Sequence, residues 1–287
     1  MGGSNLVDGW GISANVIPFR YAAVQTRSWT PVPNCQRLGG MGRYDDKRVV
    51  ITGGSSGLGL ATAKHLMNEG ARVLITGRTP EKLAEAGRQL GGDAVAVESD
   101  TSSLPQIDAL AERVKVEFGT VDALVVNAGI GSFDPFDAVT EETWDDVFAI
   151  NTKGPFFTVQ RLAPLLTEGS SVILNTSIAN QTGWDALSVY SASKAALRSM
   201  ARTLGRELLP RKIRVNAISP GSIDTGKLEK ELPAERAEQL KAQFTATNPM
   251  GRWGHPDEFA QAVAFLAFDA TFMVGIELVI DGGYSQL

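Results

Sequence analysis

The chain has 287 residues, 43% of them hydrophobic, enough to bury the core of one large α/β domain. Its formal charge of −5 is spread along the sequence, and with no basic block nucleic-acid binding has little support. The sequence has no apolar run of about 18 residues, so no membrane span is expected. The single cysteine, Cys35, excludes an internal disulfide and fits a reducing, cytoplasmic setting.

His65 and His255 lie far apart, and no His/Cys cluster has metal-ligand spacing, so no metal is expected. Residues 1–42 lack periodicity, carry Pro18, Pro31 and Pro33, and hold few acids. They have neither the build of a secretory signal nor that of a myristoylation site. They read as a poorly ordered N-terminal extension, with a single folded domain over 43–287.

That domain opens with Arg48-Val49-Val50-Ile51-Thr52, a β-branched run typical of a buried strand. Gly53-Gly54-Ser55-Ser56-Gly57-Leu58-Gly59 follows, and a helical pattern starts near Leu60. Strand, glycine turn and helix form a context in which orphan helix N–H groups receive a pyrophosphate. The same turn could also be purely structural. Its spacing, Gly-x-x-x-Gly-x-Gly, differs from the commonest dinucleotide fingerprint.

The next strand, Arg72–Thr76, runs into Gly77-Arg78 where an acid would bind the 2′-hydroxyl of NAD. A guanidinium there suits a 2′-phosphate, so NADP(H) is favoured, with NAD(H) possible. The plain alternative is a solvated arginine in a turn.

Ala94–Val97 reads as a third strand ending near Asp100-Thr101, and Leu104–Phe118 as an amphipathic helix. Asp122–Val126 is a fourth strand closed by Asn127-Ala128-Gly129. A long helical stretch over 141–166 carries Asn151 and is interrupted near Gly154-Pro155. Ser171–Thr176 is a fifth strand with Ser177 at its end. A helix then carries Tyr190 and Lys194 as far as about Leu209.

Side chains at i and i+4 of a helix share a face, about 5–6 Å apart at Cβ. A cation there would favour the phenolate, drawing the Tyr190 pKa down from about 10 and making it a proton donor and acceptor. Taken alone, this spacing is common in exposed helix pairs.

Ile213–Ile218 forms a sixth strand broken by Pro220-Gly221, and Ile276–Ile280 forms a last one. Alternating strands and helices predict a Rossmann-type, doubly wound parallel sheet of about seven strands in a three-layer α/β/α sandwich. In such sheets ligands bind beyond the strands' carboxyl ends, where Thr52, Arg78, Asp100, Asn127, Ser177 and Pro220 all fall.

In order, Thr52-Gly53-x-x-x-Gly57-x-Gly59, Asn127-Ala128-Gly129, Asn151, Ser177, Tyr190-x-x-x-Lys194, Pro220-Gly221 and Asp281-Gly282-Gly283 resemble the short-chain dehydrogenase/reductase family. The resemblance spans about Lys47 to Gly283. It implies that Tyr190 is the general acid/base of an oxidoreductase moving hydride between NADP(H) and a carbonyl or secondary alcohol. It also implies that Ser177 polarises the substrate oxygen and that Lys194 lowers the Tyr190 pKa while binding the nicotinamide ribose. Asn151 would hold a water in a proton relay.

The cofactor is expected to lie along Gly53, Ser55–Gly59, Arg78, Asp100-Thr101 and Asn127–Gly129, with Pro220-Gly221, Ile223 and Thr225 at its nicotinamide end. Two departures stand out. Val126 replaces the usual first Asn of Asn-Asn-Ala-Gly, and Ser56 stands where NADP enzymes often have a basic residue.

Residues 222–250, with Leu228, Leu232 and Leu240 among charges, suit a substrate lid. Phe133 and Trp184 either line the pocket or pack in the core, and Asn180 and Gln181 could add polar contacts. Small residues Ala192, Ala195, Ala196 and Ser199 suggest close helix packing in a homotetramer or homodimer. The partner would otherwise be a small-molecule substrate. An NADP(H)-binding sensor without turnover is the alternative, although Ser177, Tyr190 and Lys194 are all intact. An epimerase or dehydratase would usually have a different glycine spacing and a longer C-terminal domain.

Overall fold

A computed structural model describes residues 42–91 and 93–287; the expectation for residues 1–41 lies outside the described residues. Seven strands form one sheet in the order β3-β2-β1-β4-β5-β6-β7, and every adjacent pair runs parallel. They are β1 (Arg48–Thr52), β2 (Arg72–Gly77), β3 (Val95–Glu98), β4 (Val121–Val126), β5 (Leu166–Asn175), β6 (Arg214–Pro220) and β7 (Glu277–Ile280). The helices are α1 (Gly57–Asn68), α2 (Pro80–Leu90), α3 (Leu104–Phe118), α4 (Glu141–Phe148), α5 (Gly154–Leu162), α6 (Ser188–Leu208), α7 (Lys227–Glu231), α8 (Ala234–Thr247) and α9 (Pro256–Ala264).

Strand periodicity explains the three layers. Successive side chains point to opposite faces. Val49 and Ile51 therefore join Ala63 and Leu66 of α1 and Phe259 and Val263 of α9 on one side. Val50 joins Leu110 and Val114 of α3, Leu162 of α5 and Leu197 of α6 on the other. A sheet covered on both faces needs near-continuous apolar strands, and Val49, Val50 and Ile51 are all fully buried.

The chain steps outward from β1 to β2 and β3, then returns to place β4 beside β1. That reversal opens a crevice at the carboxyl ends of β1 and β4, the usual ligand position in this architecture. Thr52 and Val126 are its paired strand ends.

The long helical stretch is divided, as expected, but by a π turn at Ala149–Lys153 joining α4 to α5. Asn151 lies inside that turn. π turns within helices are rare and often sit at functional sites.

Candidate active site

The crevice is stitched together by Thr52. Its Oγ1 accepts the N–H groups of Asn127 at 3.0 Å and Ala128 at 3.1 Å. Asn127 Nδ2 donates back to the carbonyls of Thr52 and Gly53, each at 3.1 Å. This packing leaves no room for a side chain at Gly53 or Gly59. A Cβ on Gly53 would lie 2.8 Å from Ala128 Cα, and one on Gly59 would lie 2.3 Å from the Gly53 carbonyl oxygen.

Ser56 is the N-cap of α1, yet its side chain makes no capping bond. The first N–H groups of α1 are thus left without a side-chain acceptor, as a phosphate site needs. Above Gly57 sits Thr225, 3.7 Å from where a Cβ would be. A Cβ on Gly77 would lie 2.8 Å from Ser55 Oγ. Arg78 follows, exposed and without a hydrogen bond or ion pair to the described residues. A close-packed glycine turn and an uncapped helix start together fit the pyrophosphate of a dinucleotide.

The second half of the site gathers around Gly129. A Cβ there would stand 3.1 Å from Asn151 Oδ1 and 3.3 Å from Lys194 Nζ. Asn151 is fully buried. Its Oδ1 accepts Ile130 N–H at 2.9 Å, and its Nδ2 donates to the Ile130 carbonyl at 2.9 Å and to Ser193 Oγ at 3.1 Å. Ser193 Oγ donates to the Tyr190 carbonyl at 2.7 Å. Lys194 Nζ donates to the Asn175 carbonyl at 3.0 Å, and Asn175 Nδ2 donates to Asn127 Oδ1 at 2.9 Å. Ser177 is close enough to the Tyr190 side chain to draw its phenol pKa down, and its Oγ accepts Ala179 N–H at 3.2 Å. The structure therefore joins the end of β4, the π turn, the end of β5 and the first turns of α6.

The expected lowering of the Tyr190 pKa by Lys194 is not found. Burial raises the Tyr190 phenol, and only the neighbouring Ser177 hydroxyl opposes it. The ammonium nitrogen lies 5.7 Å from the ring centroid, and its hydrogen bond goes to Asn175. Burial also pushes Lys194 down to about 8. By the pH at which a phenol ionises, this amine has lost the charge that would favour the phenolate.

The remaining candidates lie at or just beyond the carboxyl ends of β3 and β6. Gly221 N–H donates to the Ile280 carbonyl at 2.8 Å, and a Cβ on Gly221 would lie 3.3 Å from Ile178 Cδ1, just past Ser177. Pro220 is the last residue of β6. Ile223 bridges to Gly254. Asp100 Oδ1 accepts both the N–H and the hydroxyl of Ser102 at 2.8 Å, which shapes the turn after β3. Thr101 is buried where Gly154 begins α5.

Phe133 is 74% exposed and so is not a core residue. Trp184 packs edge-on against Tyr284 with centroids 5.6 Å apart. Asn180 is engaged within the protein: its amide donates to the Ser177 carbonyl at 2.6 Å and to Glu277 Oε1 at 2.5 Å. Gln181 is exposed and donates to Ser285 Oγ at 3.2 Å. Sequence reasoning passed over Asn175, Ser193 and Glu277. An Asn inside the apolar β5 run was the one available signal for the first of these.

Residues 53–285 match a family model described as enoyl-(acyl carrier protein) reductase. Oxidoreductase asL5 of Sarocladium schorii is 42% identical over 248 residues, covering 85% of this chain and 98% of that protein. Cis-4-hydroxycyclohexanecarboxylate dehydrogenase of Sinomonas cyclohexanicum is 37% identical over 250 residues, covering 85% and 98%. The crystal structure of levodione reductase superimposes with a TM-score of 0.79 at 31% identity, covering 85% of this chain and 99% of that one.

Proposed function

The chain belongs to the short-chain dehydrogenase/reductase family of NAD(P)-binding oxidoreductases, and on that premise we propose that it moves hydride between NADP(H) and a carbonyl or secondary alcohol. The observation carrying this reading is the single cluster in which Ser177, Tyr190, Lys194 and Asn151 adjoin the crevice of the glycine turn. Gly53–Gly59 and the start of α1 would hold the pyrophosphate, Arg78 a 2′-phosphate, and Ile223 and Thr225 the nicotinamide end. When bound, the cofactor supplies or accepts hydride at the substrate carbon.

The protein's part is proton chemistry and placement. Tyr190, kept protonated by burial, donates its proton to the carbonyl oxygen in reduction and takes it back in oxidation. Ser177 donates a hydrogen bond to the same oxygen. Lys194 holds the ribose and, with Asn151, returns protons to the phenol. General acid catalysis of this kind contributes about 10²–10⁴-fold. The lid would be residues 222–250, where α7 and α8 are tied down by Lys241 bonding Asp224 at 2.7 Å and Glu229. We place the enzyme in the cytoplasm as a homotetramer or homodimer.

The direct experiment is a panel of secondary alcohols and ketones with each nicotinamide cofactor, read at the nicotinamide absorbance band. It should include cis-4-hydroxycyclohexanecarboxylate and levodione, the compounds in two relatives' names. Turnover is expected, and Tyr190→Phe should abolish nearly all of it while leaving cofactor affinity largely intact. Near-normal turnover in that variant refutes the assignment. Cofactor binding without turnover across the panel favours the sensor.

Charge-assisted hydrogen bonds contribute about 1.5–3 kcal/mol. Arg78→Ala should therefore weaken NADPH about 10- to 100-fold and leave NADH nearly unchanged. Equal effects on both cofactors would reject a 2′-phosphate contact.

A further inference from the structure

We propose that Glu277 is a positioning residue for Ser177, acting through the side-chain amide of Asn180. The inference rests on the reading of Ser177 given above.

Glu277 lies on the edge strand β7, but its side chain is only 8% exposed. Oε1 accepts Asn180 Nδ2 at 2.5 Å and Ser219 Oγ at 2.5 Å. Oε2 pairs with Arg198. One carboxylate thus ties together β6, the short turn after β5 and helix α6. Arg198 stands four residues beyond Lys194, one helical turn along the same face. The serine segment and the helix bearing Tyr190 and Lys194 are therefore anchored to a common group.

Asn180 is the link to the chemistry. Its Nδ2 donates to the backbone carbonyl of Ser177 at 2.6 Å and is shared with Glu277 and, at 3.3 Å, with Ser219. Its Oδ1 is buried without a partner. A buried acceptor left unpaired is costly, yet turning the amide over would set Oδ1 against two acceptors, the Ser177 carbonyl and Glu277 Oε1. Glu277 therefore fixes which way the amide points, and the amide fixes the residue that carries the Ser177 hydroxyl toward Tyr190. Hydrogen bonds to an ionised acceptor are shorter and stronger than neutral ones, which suits a carboxylate to this task better than an amide.

The test uses Asn180→Ala, Glu277→Leu and Glu277→Gln, each made in the intact enzyme and in a Ser177→Ala background. Turnover is followed with cis-4-hydroxycyclohexanecarboxylate and NADP or with levodione and NADPH, and cofactor affinity is measured separately. Misplacing a reacting group by an ångström costs roughly 10²-fold, so Asn180→Ala and Glu277→Leu should each lower kcat about 10- to 100-fold. NADPH affinity should not change. Glu277→Gln, which keeps an acceptor for Asn180, should recover most of the loss.

In the Ser177→Ala background Asn180→Ala should cost nothing further, because its effect passes through that hydroxyl, while Glu277→Leu should lose only what its Arg198 tie to α6 contributes. A purely structural role predicts equal losses in both backgrounds, and that result overturns the proposal. A crystal structure of Asn180→Ala with Ser177 Oγ unmoved relative to Tyr190 also overturns it, whichever substrate the enzyme uses. If Ser177→Ala itself retains full turnover, the reading of the site fails instead. Should Glu277→Leu not fold, Asn180→Ala carries the comparison alone.

Discussion

Lys194 is buried, and its hydrogen bond is to a neutral carbonyl, so the fold holds an ammonium that water would solvate better. Desolvation lowers its pKa from 10.5 to about 8. Below about pH 8 the lysine is charged in both states, and the folded state bears the full burial cost. Between about pH 8 and pH 10 the unfolded chain still binds a proton that the folded chain has released, so stability rises with pH. The whole gap from 10.5 to about 8 corresponds to about 3 kcal/mol. Tyr190 has the opposite sign, since a raised phenol pKa costs stability once pH passes 10. Lys194→Met is accordingly expected to stabilise the cofactor-free protein near pH 7 and to flatten the rise between pH 8 and pH 10. Urea denaturation across that range checks it, and identical slopes in both proteins would contradict it. Spacing alone could bring Tyr190 and Lys194 to one helix face. It could not show that burial, the larger influence here, works against both charged forms. The degree of burial depends on Asn151, Ser193 and Asn175, which come from three separate elements.

The π turn at Ala149–Lys153 shows what an element adds to its residues. A single extra residue in the helical spiral turns Asn151 inward, where its amide completes both the N–H and the C=O of Ile130. The segment after β4 is thereby held against α6 through Ser193. Asn151→Ala would leave two backbone groups unpaired, at about 1–3 kcal/mol each. We expect it to destabilise the protein by about 2–6 kcal/mol as well as lower turnover. A denaturation midpoint matching the parent protein would show that water or a shifted backbone replaces the amide. The helix break was legible from Gly154-Pro155, but its type was not, because an inserted residue leaves hydrophobic periodicity almost unchanged. Strands were easier to see: Arg48–Thr52 matches β1 and Asp122–Val126 nearly matches β4, since a strand buried on both faces must be an apolar run. The beginning of β5 at Leu166 escaped notice, as Thr167, Glu168 and Gly169 are exposed and carry no apolar signal. Arg214 was hidden for the opposite reason. It looks like a surface residue in a strand, yet its buried guanidinium donates to the carbonyls of Leu266, Ala267 and Ala270, closing the turn after α9.

At the scale of the molecule, the sheet order decides what the motifs can do. Only the return of β4 to the side of β1 brings Gly53 against Ala128, and only then do Gly129, Asn151 and Lys194 share a wall with the glycine turn. Local sequence cannot encode that adjacency, although alternation of strand and helix restricts it to a few topologies. The same arrangement leaves one face of α6 outward. Val189, Ser193, Leu197 and Ala201 are buried, whereas Ala192, Ala195 and Ser199 are exposed. Three short side chains on an outward face let a second helix approach closely, and in the proposed homodimer this face would pair with its own copy about a two-fold axis. Sedimentation at micromolar concentration should give a dimer or tetramer. Ala195→Arg, which sets a long charged side chain at the centre of that face, should shift the mass toward monomer. Because α6 carries Tyr190 and Lys194 on its other side, turnover should fall in step with dissociation and recover at high protein concentration. A monomeric parent protein would sink this assembly, and an unshifted Ala195→Arg variant would move the interface to another face.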